Sequence, residues 1–157
     1  NKLENRKTKV PNWYLDLSLI INYWSGSSRA YHHTAPINML YGLYQACYNI
    51  IDEGLENVFI RHNKMHQLLI DELGTIGLKM FVHKDHRLPM LNAITIPTEF
   101  INKEQTIRND LLKQFQIEIG GGLGPLSGKI WRIGLMGETA KKQNIAQLID
   151  AFKQILI

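Results

Sequence analysis

Arg132 makes the strongest chemical demand in this sequence. It stands in Ile130-Trp131-Arg132-Ile133-Gly134-Leu135, which reads as a strand with few positions in open water. A guanidinium there needs an anion, and its planar fork matches a carboxylate in two hydrogen bonds. A substrate carboxylate and a structural glutamate both meet that need, so the residue alone leaves the two readings level. Tyr31 and Thr34 make a second demand, because they bracket the expected start of a long helix. The first amides of a helix lack partners and lie at the positive end of its dipole, which favours phosphate. Two hydroxyls beside such a terminus can hold one. A simple cap by Thr34 with a packed tyrosine is the plainer reading of these residues by themselves.

Other constellations promise less. Gly120-Gly121-Gly122-Leu123-Gly124-Pro125 invites a phosphate-loop reading, but the spacing fails. A dinucleotide loop needs glycine at its first, third and sixth positions. The sixth is Pro125 counted from Gly120, and Ser127 counted from Gly122. Gly128-Lys129 ends like a Walker motif, but Leu123 stands where its earlier glycine belongs and Ile130 follows the lysine. A tight, close-packed connection that sets the depth of the Arg132 strand is expected instead. His62 and His66 have the spacing of a two-histidine metal face, but Asn63 replaces the glutamate of a zinc protease motif and no third ligand follows. A solvated helix face is expected there. His32 and His33 point apart if their segment is extended. No metal site is expected.

The elements that position these residues follow from the apolar periods. Trp13 to Trp24 predicts a short amphipathic helix, and Ser25–Arg29 a loop. Thr34 is the expected cap of a helix through Leu40, Leu43, Tyr44, Cys47, Ile50 and Ile51, stopped by Gly54. Cys47 on that stripe reads as a small core residue. A second helix carries Val58, Met65, Leu69 and Leu73 and stops at Gly74 and Gly77. Strands are expected over Leu78–Val82, Asn92–Ile96, Gln116–Ile119 and Ile130–Leu135. Helices are expected over Lys103–Phe115 and after a cap at Thr139, with Ile145, Leu148, Ile149, Phe152 and Ile155 inward. The order, helices and then β-β-α-β-β-α, predicts an α/β fold: a small, mostly antiparallel sheet with helices on one face.

Composition bounds the rest. The 157 residues suffice for a real core, and 45% hydrophobic with 20% charged residues is ordinary for a globular chain. No apolar run is long enough to span a bilayer, so no membrane partner is expected. The net charge of +4 is spread along the chain. The basic run Lys2, Arg6, Lys7 and Lys9 lacks an aromatic stacking platform and reads as solvated surface, so no nucleic acid is expected. One cysteine excludes an internal disulfide framework. The chain opens on Asn1 rather than Met, which reads as a piece of something longer.

Several segments, taken together, resemble one family. Tyr31-His32-His33-Thr34-Ala35-Pro36-Ile37-Asn38 resembles the YHHTxP segment of the alanine:glyoxylate and serine:pyruvate aminotransferases. Glu53-Gly54-Leu55-Glu56-Asn57 is similar to their GLEN turn, and Arg87-Leu88-Pro89 to their RLP lead-in to a strand. Ile117 to Pro125, Gly128-Lys129, Trp131-Arg132-Ile133-Gly134 and Met136-Gly137 resemble their C-terminal signature. Order and spacing agree from about Arg6 to the end.

The resemblance implies the C-terminal part of a fold-type-I pyridoxal 5'-phosphate enzyme that works as a homodimer on small amino acids and 2-oxo acids. Residues 1–34 would be the end of the large domain and the inter-domain connection, and residues 35–157 the small domain. Tyr31 and Thr34 would contact the cofactor phosphate in the partner subunit's site, and Arg132 would bind the substrate's α-carboxylate. The Schiff-base lysine, the aspartate at the pyridinium nitrogen and the aromatic that stacks on the ring would lie ahead of Asn1, so no catalytic residue is expected in this chain. A peroxisome or mitochondrion is the implied compartment, with the cytoplasm as the alternative, since no targeting signal is visible. Within the family the rival is a 3-hydroxykynurenine-type transaminase. Outside it, the rival is a non-catalytic module that binds a partner through exposed surface.

Overall fold

The computed structural model describes residues 2–3, 5–25 and 30–156, and divides them into two compact units, 1–48 and 49–157. Most of the expected Ser25–Arg29 loop lies outside the described residues.

The first unit holds α1 (Leu17–Ser25) and most of α2 (Ile37–Glu53). The sequence pattern placed the first helix from Trp13, but it begins four residues later. Asn12 and Asp16 account for the delay. The Asn12 side chain accepts hydrogen bonds from the amides of Tyr14 and Leu15, at 3.0 and 3.3 Å, and holds residues 12–15 in a turn. Asp16 then caps the helix by accepting the Ser18 amide at 3.0 Å. The expected Thr34 cap is also corrected. α2 begins at Ile37, because Pro36 disfavours helical geometry at Ala35 before it.

α2 keeps its predicted apolar stripe but not the predicted burial. Leu40, Leu43, Tyr44, Ile50 and Ile51 are all exposed, and so is Cys47, which is therefore not a core residue here.

The second unit is a four-stranded antiparallel sheet with helices on one face, as the element order predicted. Its strands are β1 (Lys79–Met80), β2 (Leu91–Thr95), β3 (Gly120–Gly121) and β4 (Ile130–Gly134), arranged β1-β2-β4-β3. α3 (Leu55–Thr75), α4 (Glu104–Phe115) and α5 (Lys142–Leu156) cover it. Alternation along the strands sends Asn92 and Ile94 of β2, with Trp131 and Ile133 of β4, to the helical face. There they meet Met65, Leu69 and Leu73 of α3, Ile107 and Leu111 of α4, and Ile145, Leu148, Ile149 and Phe152 of α5. Trp131 and Phe152 stack at 5.6 Å between ring centroids.

Helix ends explain the shifted boundaries. α3 runs through Gly74 and stops at Gly77, whose φ of +77° lets the Leu78 amide reach back to the Leu73 carbonyl and its own amide to that of Gly74. α4 stops without a glycine: Gln116 adopts φ +56°, and the Ile117 amide returns to the Leu111 carbonyl. That left-handed stop is why Gln116–Ile119 is not a strand and pairing starts only at Gly120. The expected first strand shrinks to Lys79–Met80, followed by a short 3-10 turn over Lys84–His86. Thr139 does not cap α5. Its hydroxyl accepts the Met136 amide at 2.9 Å and closes the 3-10 turn Gly137–Thr139 just before that helix.

Glycines 120–122 give the expected close-packed connection a geometric cause. A Cβ on Gly122 would lie 1.9 Å from the Leu126 carbonyl oxygen. Gly122→Ala is therefore expected to lower stability by about 1–3 kcal/mol, the usual cost of overpacking. Gly134, with nothing within 4 Å of its own absent Cβ, should accept alanine with a change within about 0.5 kcal/mol. Urea unfolding midpoints of the two variants check this, and equal midpoints contradict it.

Candidate functional site

The residue of the second unit that the sequence marked as a candidate for binding an anion is Arg132, central in β4. Its neighbours Trp131 and Ile133 point into the helical core, so its side chain leaves the opposite face of the sheet. Arg132 faces Ala93 of β2 on one side and Gly120 of β3 on the other. The lack of a side chain at Gly120 makes the room: a Cβ there would sit 3.3 Å from Arg132 Nη2 and 3.4 Å from Nε. Arg132 Nε donates to the Gly121 carbonyl oxygen at 2.7 Å. That bond fixes the plane of the guanidinium and leaves the fork of terminal nitrogens uncommitted. Among the described residues, no carboxylate pairs with it. Glu104, which lies against Gly121, is instead held by Arg108, with Nε to Oε1 at 2.6 Å and Nη2 to Oε2 at 3.3 Å.

The segment that follows β4 is tied to α3 by Arg61, which the sequence did not single out, and by His62, which it did for another reason. Arg61 grips Glu53 with both ends of its fork, Nε to Oε1 at 2.5 Å and Nη2 to Oε2 at 2.8 Å. Its third nitrogen, Nη1, donates to the carbonyls of Gly137 and Ala140, at 2.9 and 3.3 Å. His62 donates from Nδ1 to the Val58 carbonyl at 2.7 Å and accepts the Gly137 amide on Nε2 at 3.0 Å. His66 bonds through Nδ1 to Oδ1 of the buried Asn92 at 2.7 Å. The two histidines are thus half-buried hydrogen-bonding residues, not the solvated face expected from their spacing. No group of three or more metal-ligating side chains occurs among the described residues. The Glu53-Gly54-Leu55-Glu56-Asn57 turn is built the same way: Gly54 takes φ +85°, and Asn57 Nδ2 donates to the Glu53 carbonyl at 2.8 Å. No periodicity could have announced Arg61, because its partners lie in a different helix and in a loop.

In the first unit, Tyr31 and Thr34 do come together. Their hydroxyls are 2.7 Å apart, both residues are exposed, and the Tyr31 ring lies edge-on to Tyr23 at 6.0 Å. His32 between them turns the other way and is buried.

The Arg61 bond holds the Glu53 carboxyl below the usual glutamate range, and Glu53 in turn raises Arg61. The folded protein therefore binds fewer protons at Glu53 than the unfolded chain does. The stabilisation is full above the unfolded value of about 4.3 and is lost as pH falls through the lower folded value. Glu53→Gln should melt lower than the parent at neutral pH, and the gap should close as pH drops below about 4. Melting temperatures across that range check it; a gap independent of pH contradicts it.

No family model matches the chain. It is 39% identical over 160 residues to the alanine–glyoxylate aminotransferase of Callithrix jacchus, covering 99% of this chain and 38% of that protein. It is 36% identical over 144 residues to the (S)-ureidoglycine–glyoxylate transaminase of Bacillus subtilis, covering 92% of this chain and 34% of that protein. The crystal structure of an alanine–glyoxylate aminotransferase from Nostoc sp. superposes with a TM-score of 0.89 at 48% identity, over 99% of this chain and 41% of that one. The chain spans about two fifths of the length of the relatives it matches. It is homologous, over nearly all of its own length, to part of the alanine–glyoxylate aminotransferases.

Proposed function

We propose that this chain is the C-terminal part of a pyridoxal-phosphate aminotransferase that moves an amino group from alanine or serine to glyoxylate or pyruvate. On this reading residues 35–157 form the small domain and residues 1–34 lead into it. The intact enzyme is a homodimer, and a peroxisome or mitochondrion is its compartment. The observation that carries the reading is Arg132, a half-buried guanidinium steered through Nε by the Gly121 carbonyl, whose terminal fork meets no described carboxylate. A structural ion pair would have required one. Similarity to glyoxylate aminotransferases over 99% of the chain supports a carboxylate-bearing substrate as its anion.

The residues present also fit the cofactor. Two exposed hydroxyls 2.7 Å apart, at Tyr31 and Thr34, suit a phosphate with several acceptor oxygens. They would hold that phosphate in the partner subunit's site. Pyridoxal 5'-phosphate, when bound, supplies an electron-withdrawing ring for the charge left at the substrate's Cα. Arg132 holds the substrate carboxylate in two charge-assisted hydrogen bonds and so fixes the direction of the Cα–H bond. Gly120 keeps the space through which the guanidinium reaches. The Schiff-base lysine belongs, on this reading, to the part of the enzyme that the chain does not span.

Three outcomes follow. The chain by itself, given pyridoxal phosphate, alanine and glyoxylate, should show no turnover, because no lysine here matches the Schiff-base position. Turnover near the enzyme median of about 10 per second contradicts the reading. In the intact enzyme, Arg132→Ala should lower kcat/KM for alanine roughly a hundredfold, as expected for a lost charged contact, and affect an amine without the carboxylate far less. Arg132→Lys should also be damaging, because it keeps the charge but loses the fork. Equal losses for both substrates with a lowered melting temperature would make Arg132 a structural residue.

A further inference from the structure

Among the described residues, the buried polar side chains are His32 and Asn92. Asn92 sits deep in the second unit, bonded to His66 and to the Pro89 carbonyl. His32 is different: only 6% of it is exposed, although it follows Tyr31, which is 68% exposed, in a segment with no helix or strand. A buried imidazole in so open a segment needs a reason, because burying a polar ring without partners is costly. The partners are specific. Its ring stacks on Trp13 at 3.9 Å between centroids, with planes 21° apart. Its Nε2 lies 3.0 Å from the Trp13 carbonyl oxygen, and its Nδ1 lies 2.6 Å from Nδ1 of His33. A carbonyl only accepts, so Nε2 carries the proton. In the neutral ring Nδ1 is then the acceptor, and His33 donates to it. His33 is itself packed against Tyr14 at 4.9 Å. The turn they dock on is braced separately by Asn12, which accepts the amides of Tyr14 and Leu15.

We propose that His32 is the positioning residue for the phosphate grip: docked on the Trp13 turn, it fixes the segment so that the hydroxyls of Tyr31 and Thr34 converge. This rests on the reading above, in which those hydroxyls hold the cofactor phosphate. Tyr31 and Thr34 flank His32 and His33 in the chain, so clamping the two rings on one side turns the flanking side chains outward together. With one clamp removed, the exposed segment recovers rotational freedom, and two hydroxyls that meet at 2.7 Å need no longer do so. His32 does not itself touch the phosphate. Its effect therefore depends on the phosphate being present, which a purely structural role would not.

The test uses the intact holoenzyme and its apo form, with two ligands: pyridoxal phosphate and pyridoxal, which lacks the phosphate. Affinities are read from ligand fluorescence, without turnover. His32→Phe keeps the stacking surface and loses both hydrogen bonds. His32→Gln returns a donor near the Nε2 position. The phosphorylated cofactor should bind roughly tenfold more weakly in His32→Phe, the size expected for one or two lost hydrogen bonds. His32→Gln should recover part of that loss. Pyridoxal affinity should stay within about twofold in both, and KM for alanine at saturating cofactor should not move. Equal weakening for pyridoxal and its phosphate, or a fall in kcat in proportion, means a structural histidine and overturns the proposal. Tyr31→Phe and Thr34→Val separate the two layers. If they weaken phosphate binding and His32→Phe does not, the grip stands and the positioning role falls. If neither weakens it, the phosphate assignment falls and the positioning role falls with it. If His32→Phe does not fold, His32→Gln against the parent, with the same two ligands, decides: a loss confined to the phosphorylated ligand supports the proposal, and no loss or an equal loss overturns it.

Discussion

The approach of residues 120–122 to β4 is the tightest constraint around Arg132, because at three successive positions an added Cβ would crowd a neighbour and at 122 it would collide with backbone. At 120 it would press on the Arg132 guanidinium, at 121 on the Glu104–Arg108 pair, and at 122 on the Leu126 backbone. These are different neighbours: at 122 the backbone leaves no room for a Cβ, whereas at 120 and 121 flexible side chains would have to give by a few tenths of an ångström. The first position borders the Arg132 side chain, the second the ion pair of α4, and the third the turn that returns the chain to Ile130. A central strand that presents an arginine usually needs a carboxylate close by. Here the room comes from an absent Cβ and the orientation from a backbone carbonyl, and among the described residues no carboxylate meets the charged fork, which the proposed function assigns to a substrate anion.

The elements of the second unit were legible because its amphipathic patterns have their partners within the chain. Met65, Leu69 and Leu73 fall on one helical stripe, Ile145, Leu148, Ile149 and Phe152 on another, and the strands alternate between them. What the pattern could not show was where helices stop without glycine. Gln116 takes a left-handed conformation that few non-glycine residues adopt, and a strand expected at once begins four residues later. The packing of α2 was misread for another reason. Periodicity reports a face that favours burial, not whether anything covers it, and Leu43, Cys47 and Ile51 lie open among the described residues. That open face accords with the proposed dimer, in which the chain is one part of a larger assembly.

The proposed site residues stood out in the sequence to the extent that their demands are local. An arginine in an apolar strand and a Tyr-x-x-Thr before a helix are visible in sequence, and the Tyr31 and Thr34 hydroxyls do meet. The supports were not visible. Arg61 reaches from α3 to Glu53 and to the carbonyls of Gly137 and Ala140, contacts that span up to 79 residues of chain. His32 reaches Trp13 across 19. Neither separation has a period, and each depends on a backbone carbonyl whose position only the fold supplies.

The two proposed anion grips differ in a way their chemistry demands. A carboxylate is flat, with two oxygens, and a planar fork meets both in one plane. That requires one side chain held in one orientation, which a sheet provides, because the ladder on both sides of Arg132 and the Gly121 carbonyl restrict its rotation. A phosphate monoester spreads its charge over three oxygens in a tetrahedron. Several donors arriving from different directions match it better than one fork, and small neutral hydroxyls can crowd together where charged groups would repel. Such donors need not sit on rigid elements, but their segment must then be held by something else. On the proposed reading the burial of His32 against Trp13 does that: the polar ring lies inside and the hydroxyls beside it lie outside.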